Sequence, residues 1–279
     1  VTAPDRPDAG RTLLAVFAHP DDESIAAGGL LAWCADRGAR VVLLCATRGG
    51  YSEDDPAGTA ATTPPDAPMP PDARTRELAA AARELGLAEV VLLEYRDGYL
   101  PWEGGAALEA DIRAAIARVR PDVVVTFGED GLYWHPDHIA VHAGTTAAVA
   151  ALGPEAPALF YVTTPPGQMR RVFDAAQAAY DARVSGGAGT GARPGPPRGI
   201  LGIAAVDAFG AHAAAPTLIV DARAFAHRKL AALRCHRTQM AGDALDLLPD
   251  EDAPRLLGEE HYRRAPVGAR GPTFIERLA

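Results

Sequence analysis

One histidine and three carboxylates fall within five consecutive positions, His19-Pro20-Asp21-Asp22-Glu23, directly after an apolar, strand-like run over residues 12–17. A second cluster, His135-Pro136-Asp137-His138, comes after another strand-like run over 123–127. Imidazole nitrogen with carboxylate oxygen suits zinc, and a catalytic zinc takes about three protein ligands and leaves a position for water. His19 and Asp22 are three apart on a turn entering a helix, so both side chains can face one point while Asp21 points elsewhere. A third ligand must come from the second cluster, where His135, His138 and His142, one turn further on, are all candidates by spacing. Either cluster alone reads equally well as a capped helix start, because acids there complement the exposed N–H groups and the macrodipole. Two such clusters at matching strand ends weigh towards a metal site.

The elements that must position them alternate. Strand-like runs at 12–17, 41–46, 90–93, 123–127 and 158–162 are separated by helix-like stretches at 23–37, 73–85, 108–120 and 137–152, each closed by Gly or Pro. That order predicts an α/β fold, a Rossmann-like and mostly parallel sheet with right-handed crossovers and helices on both faces. Ligands in such sheets bind at the carboxyl ends of strands, where both clusters fall. Residues 1–279 read as one domain, with an α/β core at 1–164 carrying the metal site and a smaller C-terminal appended region at 165–279. The appended region holds a strand at 218–220, a helix at about 222–234 and a tail whose residues 273–278 take no assignment. Two segments, 52–72 (Pro, Ala and acid) and 185–199 (Gly and Pro), read as flexible loops.

Composition narrows the partners. The chain has 279 residues, enough to bury a core without staples. Its three cysteines, Cys34, Cys45 and Cys235, are odd in number and far apart, which reads as reduced thiols in the cytoplasm. Lys and Arg number 27 against 36 Asp and Glu, a net charge of −9 that disfavours nucleic acid, whose binding depends on neutralising phosphates. No apolar stretch has the length of a membrane span, so neither membrane nor nucleic acid is expected as a partner, and a homo-oligomer stays open.

Ala18-His19-Pro20-Asp21-Asp22-Glu23-Ser24 after the first strand, with His135-Pro136-Asp137-His138-Ile139-Ala140-Val141-His142 after the fourth, resembles the PIG-L/LmbE-like deacetylases, which remove acetyl groups from N-acetylglucosamine-type amides using zinc. The pair is specific, and weaker similarity runs from Leu13 to about Met240. The resemblance implies that His19, Asp22 and His138 hold one Zn2+, that Asp21 is the general base, and that His135 stabilises the tetrahedral oxyanion or protonates the leaving amine. It implies further that Tyr133 helps polarise the carbonyl, that Arg74 and Asp97 contact sugar hydroxyls, and that His236, in His236-Arg237-Thr238-Gln239, plays a supporting part. The implied substrate is a small acetylated aminosugar conjugate, of a thiol pathway or a natural-product sugar.

Two features depart from relatives that act on glucosaminyl-inositol. Those relatives carry an acid soon after a glycine near the end of the second strand, where this chain reads Thr47-Arg48-Gly49-Gly50-Tyr51, with Glu53 or Asp54 as substitutes. Trp134 stands where they often have glycine. Both weaken an assignment to the mycothiol pathway, and an amidase of mycothiol-type thioether conjugates or a non-catalytic zinc- or sugar-binding protein are the competing functions. A dinucleotide-binding domain is disfavoured, because the first strand–helix turn offers carboxylates where pyrophosphate needs glycines.

Overall fold

The computed structural model describes residues 6–50, 73–186 and 195–278. The expected loop at 52–72, with Glu53 and Asp54, and most of the one at 185–199 lie outside the described residues. Seven strands form one sheet: β1 (Thr12–Phe17), β2 (Arg40–Thr47), β3 (Glu89–Tyr95), β4 (Val123–Phe127), β5 (Ala158–Thr163), β6 (Leu218–Asp221) and β7 (Glu259–Gly268), in the spatial order β3-β2-β1-β4-β5-β7-β6. β1 to β5 are parallel, whereas β7 runs antiparallel to both β5 and β6. The sheet is therefore the mostly parallel α/β type expected, with an antiparallel end that includes a strand at 259–268 not foreseen in the sequence.

The central strands are buried along almost their whole length, β4 as Val-Val-Val-Thr-Phe and β1 as Thr-Leu-Leu-Ala-Val-Phe. Continuous apolar and β-branched runs of this kind belong to a parallel sheet covered on both faces. Covering comes from α1 (Asp22–Asp36), α2 (Ala73–Leu85), the short α3 (Leu100–Glu103), α4 (Gly105–Val119), the single turn α5 (Gly131–Trp134), α6 (Pro136–Ala150), α7 (Gln168–Ser185), α8 (Ala226–Cys235), and the turns α9 (Arg237–Met240) and α10 (Ala244–Leu247). α1 packs with α2 and α8, and α4 packs on α6. α1 is apolar on nearly every side because it lies beneath α8 and beside β7.

One feature of α1 depends on β7. The buried Glu260 carboxylate accepts from the backbone N–H groups of Gly29 and Leu30 (both 2.8 Å), from the Tyr262 hydroxyl (2.7 Å) and from Lys229 Nζ (2.6 Å). A Cβ on Gly29 would stand 2.7 Å from the Ala222 Cβ and 3.0 Å from Glu260 Oε1, so only glycine lets the carboxylate reach the helix.

The connectivity decides where ligands can go. The chain walks outward from β1 to β2 and β3, then returns to the other side of β1 to lay down β4 and β5. The order reverses between β1 and β4, and the crevice beyond their carboxyl ends is where a doubly wound sheet binds ligands. His19 and His135 follow those two strands. Among the described residues no helix is long and apolar enough to cross a membrane.

Candidate metal centre

At the end of β1 the chain turns sharply into α1, and the turn is strained. Asp21 has φ 123° and ψ −28°, in the left-handed half of backbone space that an L-residue occupies only when its surroundings impose it, at a cost of about 1–3 kcal/mol. Its carbonyl accepts from the N–H groups of Ser24 and Ile25, so it serves as the N-cap of α1. Leu132 and Trp134 also have positive φ, 65° and 67°, so the segment leading into α6 is held against its preferences as well. Asp130 caps that segment by accepting from Leu132 N–H, and burial raises its carboxyl above the ordinary range.

The two turns bring three side chains together. His19 Nδ1 stands 3.2 Å from His138 Nε2 and 3.3 Å from Asp22 Oδ2, while Asp22 Oδ1 is 3.2 Å from the same His138 nitrogen. Tetrahedral nitrogen and oxygen ligands about 2.0–2.1 Å from a zinc ion stand about 3.3 Å apart, so this triangle has the spacing of a coordination shell. His138 is fully buried, stacks on Phe127 and directs its other ring nitrogen, Nδ1, to the Gly131 carbonyl (3.1 Å). The second nitrogen of His19, Nε2, faces Asp97 Oδ1 at 2.9 Å and Asp137 Oδ2 at 3.2 Å. Acceptors on the far nitrogens orient both imidazoles towards a common point.

Other donor sets compete on distance. One atom each from His19, His135 and His138, or from His19, Asp97 and Asp137, also lies within 4.8 Å of its fellows. The second set gathers around His19 Nε2, on the far side of the ring from His138 and Asp22. In the first set, His135 turns Nδ1 to accept the Asp137 N–H (3.2 Å) and stacks on His138 with ring centroids 4.5 Å apart, beside the triangle formed with Asp22.

The electrostatics are those of an anionic pocket. Burial opposes charge on His19, but Asp97, Asp137 and Asp22 outweigh it and raise its pKa well above the usual histidine value. Burial likewise opposes ionisation of Asp22, yet His138 and His19 hold its carboxyl well below the usual range. Burial pushes Asp21 up to about 7, against the opposing pull of Arg74. Burial, then His138 and His19, press His135 down to about 3, leaving it neutral, and burial raises the Tyr133 hydroxyl.

The remaining expected residues are gathered at the same edge. Arg74, from the first turn of α2, donates through Nη2 to Asp21 Oδ2 (2.9 Å) and to the Pro20 carbonyl (2.6 Å). Gly49 lies against that guanidinium, at φ +62°, where a Cβ would overlap it. Asp97 also accepts from Gly50 N–H (2.7 Å), so the glycines after β2 close one wall. Tyr133 packs its ring on Phe209, His135 and His138. Trp134 is 52 % exposed and stacks edge-on with His212, whereas His142 turns away to the Phe127 carbonyl (2.9 Å).

Glu23 and His236, the latter expected in a supporting part, meet behind the Asp21 turn, a pairing that the sequence does not announce. Glu23, fully buried, receives His236 Nε2 at 2.9 Å, the Ser24 hydroxyl at 2.5 Å and the Asp21 N–H at 3.0 Å. Glu77 receives the Thr238 N–H (2.9 Å) and hydroxyl (2.7 Å). His236 and Thr238 both come from the short motif His236-Arg237-Thr238-Gln239, whose partners on α1 and α2 are distant in sequence.

Comparison with known proteins adds the relationship. Residues 14–149 match the PIG-L family, described as GlcNAc-PI de-N-acetylase. A 1D-myo-inositol 2-acetamido-2-deoxy-α-D-glucopyranoside deacetylase from Kineococcus radiotolerans is 35 % identical, with 98 % of this chain and 82 % of that protein covered. The N,N'-diacetylchitobiose deacetylase of Pyrococcus horikoshii has the same fold, with TM-score 0.60, 20 % identity and 92 % and 84 % of the two chains covered. So does the 4-carboxy-2-hydroxymuconate hydratase of Pseudomonas putida, with TM-score 0.57, 19 % identity and 94 % and 100 % covered. A hydratase on this scaffold means that the side chains of the site, not the fold, must carry the functional argument.

Proposed function

The chain belongs to the PIG-L family of de-N-acetylases, and from that premise we propose that it is a zinc-dependent N-deacetylase, removing an acetyl group from an N-acetylglucosamine-type amide of a small glycoconjugate. The observation that carries this reading is the triangle of His19 Nδ1, the Asp22 carboxylate and His138 Nε2, with sides of 3.2 to 3.3 Å, beside the Asp21 carboxylate.

The donor set fits the metal. Two imidazole nitrogens and a carboxylate are a zinc set, and Asp21, Asp22, Asp97 and Asp137 surround His19 with more negative charge than Arg74 alone offsets. His19, Asp22 and His138 would hold the ion. When bound, zinc supplies a Lewis acid that polarises a carbonyl and lowers a water's pKa to about 7.

Asp21 is then the base, next to Asp22 on the strained turn into α1, and it takes a proton from the attacking water. His135 is the oxyanion donor. Because its Nδ1 accepts the Asp137 N–H, its proton sits on Nε2, and a neutral imidazole in that tautomer donates a hydrogen bond without acting as a base. The Tyr133 hydroxyl adds a second donor for the developing charge. Proton return to the departing amine falls to Asp21, which has just received one, since neutral His135 would have to become an imidazolate to supply it. Arg74 and Asp97 line the sugar side of the cleft, and each also holds a protein group, Asp21 and His19 respectively.

The test is free-amine release, read by mass spectrometry, from a panel of N-acetylglucosamine conjugates that includes 1D-myo-inositol 2-acetamido-2-deoxy-α-D-glucopyranoside. Acetyl loss with zinc-loaded wild type, and not with Asp21→Asn or after chelation, is the expected result. Turnover indifferent to chelation would overturn the metal reading.

A further inference from the structure

We propose that Glu23 and His236 are positioning residues for the Asp21 carboxylate: a buried pair that grips the Asp21 amide and so holds the strained turn on which that carboxylate stands next to Asp22, a corner of the metal triangle. The proposal deepens the deacetylase reading and rests on Asp21 being its base.

Asp21 is held at three points. Its backbone N–H donates to Glu23 Oε2 (3.0 Å), its carbonyl caps α1, and its carboxylate takes Arg74 Nη2 (2.9 Å). The first restraint is the unusual one, because the acceptor is a side chain two residues along, reaching back across the turn. A glutamate is a flexible acceptor unless something fixes it. His236 does so, with Nε2 2.9 Å from Glu23 Oε1, while both side chains are 0 % exposed. The Ser24 hydroxyl donates to the same oxygen, so the carboxylate has no free rotation left.

The third restraint is tied down from the same motif. Thr238, two residues after His236, donates through both N–H and hydroxyl to Glu77, which sits one turn after Arg74 on α2. The segment His236-Arg237-Thr238 thus bridges α1 and α2 and stabilises both the amide and the carboxylate contacts of one residue. Neither Glu23 nor His236 lies among the groups that would hold the metal or meet the substrate, and the residue they grip is Asp21, so it is through Asp21 that they would act on turnover.

A double-mutant cycle separates this from a general structural role. Glu23→Gln keeps the shape but puts an amide where three donors converge, and His236→Asn removes the same link from the other side. The expected result is that either change lowers kcat by about ten- to a hundredfold, the scale on which small misplacements of a reacting group act. KM and zinc content should stay close to wild type, and adding either change to Asp21→Asn should cost nothing further. Wild-type kcat in both single variants, with Asp21→Asn inactive, would overturn the positioning role and leave the base assignment standing. Losses that multiply on the Asp21→Asn background, or that come with loss of zinc, would make the pair structural and overturn it too. An active Asp21→Asn enzyme would remove the base reading and this proposal with it. Should one variant fail to fold, the other reads the same link.

Discussion

His19 Nδ1 and His138 Nε2 stand 3.2 Å apart across 119 residues of sequence, because the strands that deliver them, β1 and β4, are neighbours at the point where strand order reverses. Asp22 closes the triangle from the first turn of α1, and its distances to the two nitrogens are nearly equal. The geometry separates residues that would hold a metal from the carboxylate beside them, and that separation is testable.

His138→Ala should lose both zinc and turnover, because one corner of the triangle disappears. Asp21→Asn should retain about one zinc per chain and lose about 10²–10⁴-fold in kcat, the range expected for removing a general base. Metal analysis by mass spectrometry alongside amine release reads both. Equal zinc loss in the two variants would refute the division of roles.

The far side of His19 makes a further claim. Asp97 Oδ1 at 2.9 Å and Asp137 Oδ2 at 3.2 Å face His19 Nε2 and orient the ring that points Nδ1 at the site. Asp97→Asn should weaken zinc binding by about 10–100-fold, the usual cost of losing such a partner, whatever it does to sugar recognition. Competition with a chelating dye measures the change, and an unaltered zinc affinity would leave Asp97 with a substrate role alone.

Much of this site was legible in the sequence because its signals are local. His19-Pro20-Asp21-Asp22 and His135-Pro136-Asp137-His138 each describe a strand end entering a helix, and alternation of apolar runs with helical stretches placed both at one sheet edge. Contacts between distant residues were not legible. Glu23 and His236 are 213 residues apart, and nothing in the spacing of either says that it needs the other. β7 was missed because it opens Glu-Glu-His, and the buried Glu260 is acceptable in a strand only because Lys229 from α8 and two amides from α1 meet it there. The helix read from about residue 222 begins at Ala226, since residues 223–225 form a tighter turn first, and the unassigned tail at 273–278 contains another such turn at Ile275–Leu278.

That same Glu260 network predicts a stability effect remote from the chemistry. Lys229→Met removes the cation and leaves a buried carboxylate, a change that costs about 3–5 kcal/mol where nothing else compensates. The two amides and the Tyr262 hydroxyl still bind Glu260, so the loss should fall at the lower end, and Glu260→Gln added to Lys229→Met should recover part of it. Gly29→Ala, which presses a methyl group on Ala222, should cost about 1–3 kcal/mol by overpacking. Urea denaturation gives all three values, and wild-type stability in Lys229→Met would show that the pair contributes nothing net.

Asp243 should make the protein less stable as pH rises. It caps α10 by accepting from Leu245 N–H (2.8 Å), is 3 % exposed, and burial pushes its carboxyl from an ordinary 3.8 up to about 7 although backbone donors oppose the shift. Between those two values the folded chain keeps a proton that the unfolded chain has already released, so the folded state binds more protons and stability falls with rising pH. This contribution is fully present below about pH 4 and is lost as the pH passes through about 7, amounting on the order of a few kcal/mol. Asp243→Asn keeps an acceptor for Leu245 and cannot ionise. Its stability should match wild type near pH 4 and exceed it at pH 8, a difference that denaturant midpoints at a series of pH values would follow directly. A constant gap between the two proteins across that range would mean that Asp243 does not change its ionisation on folding.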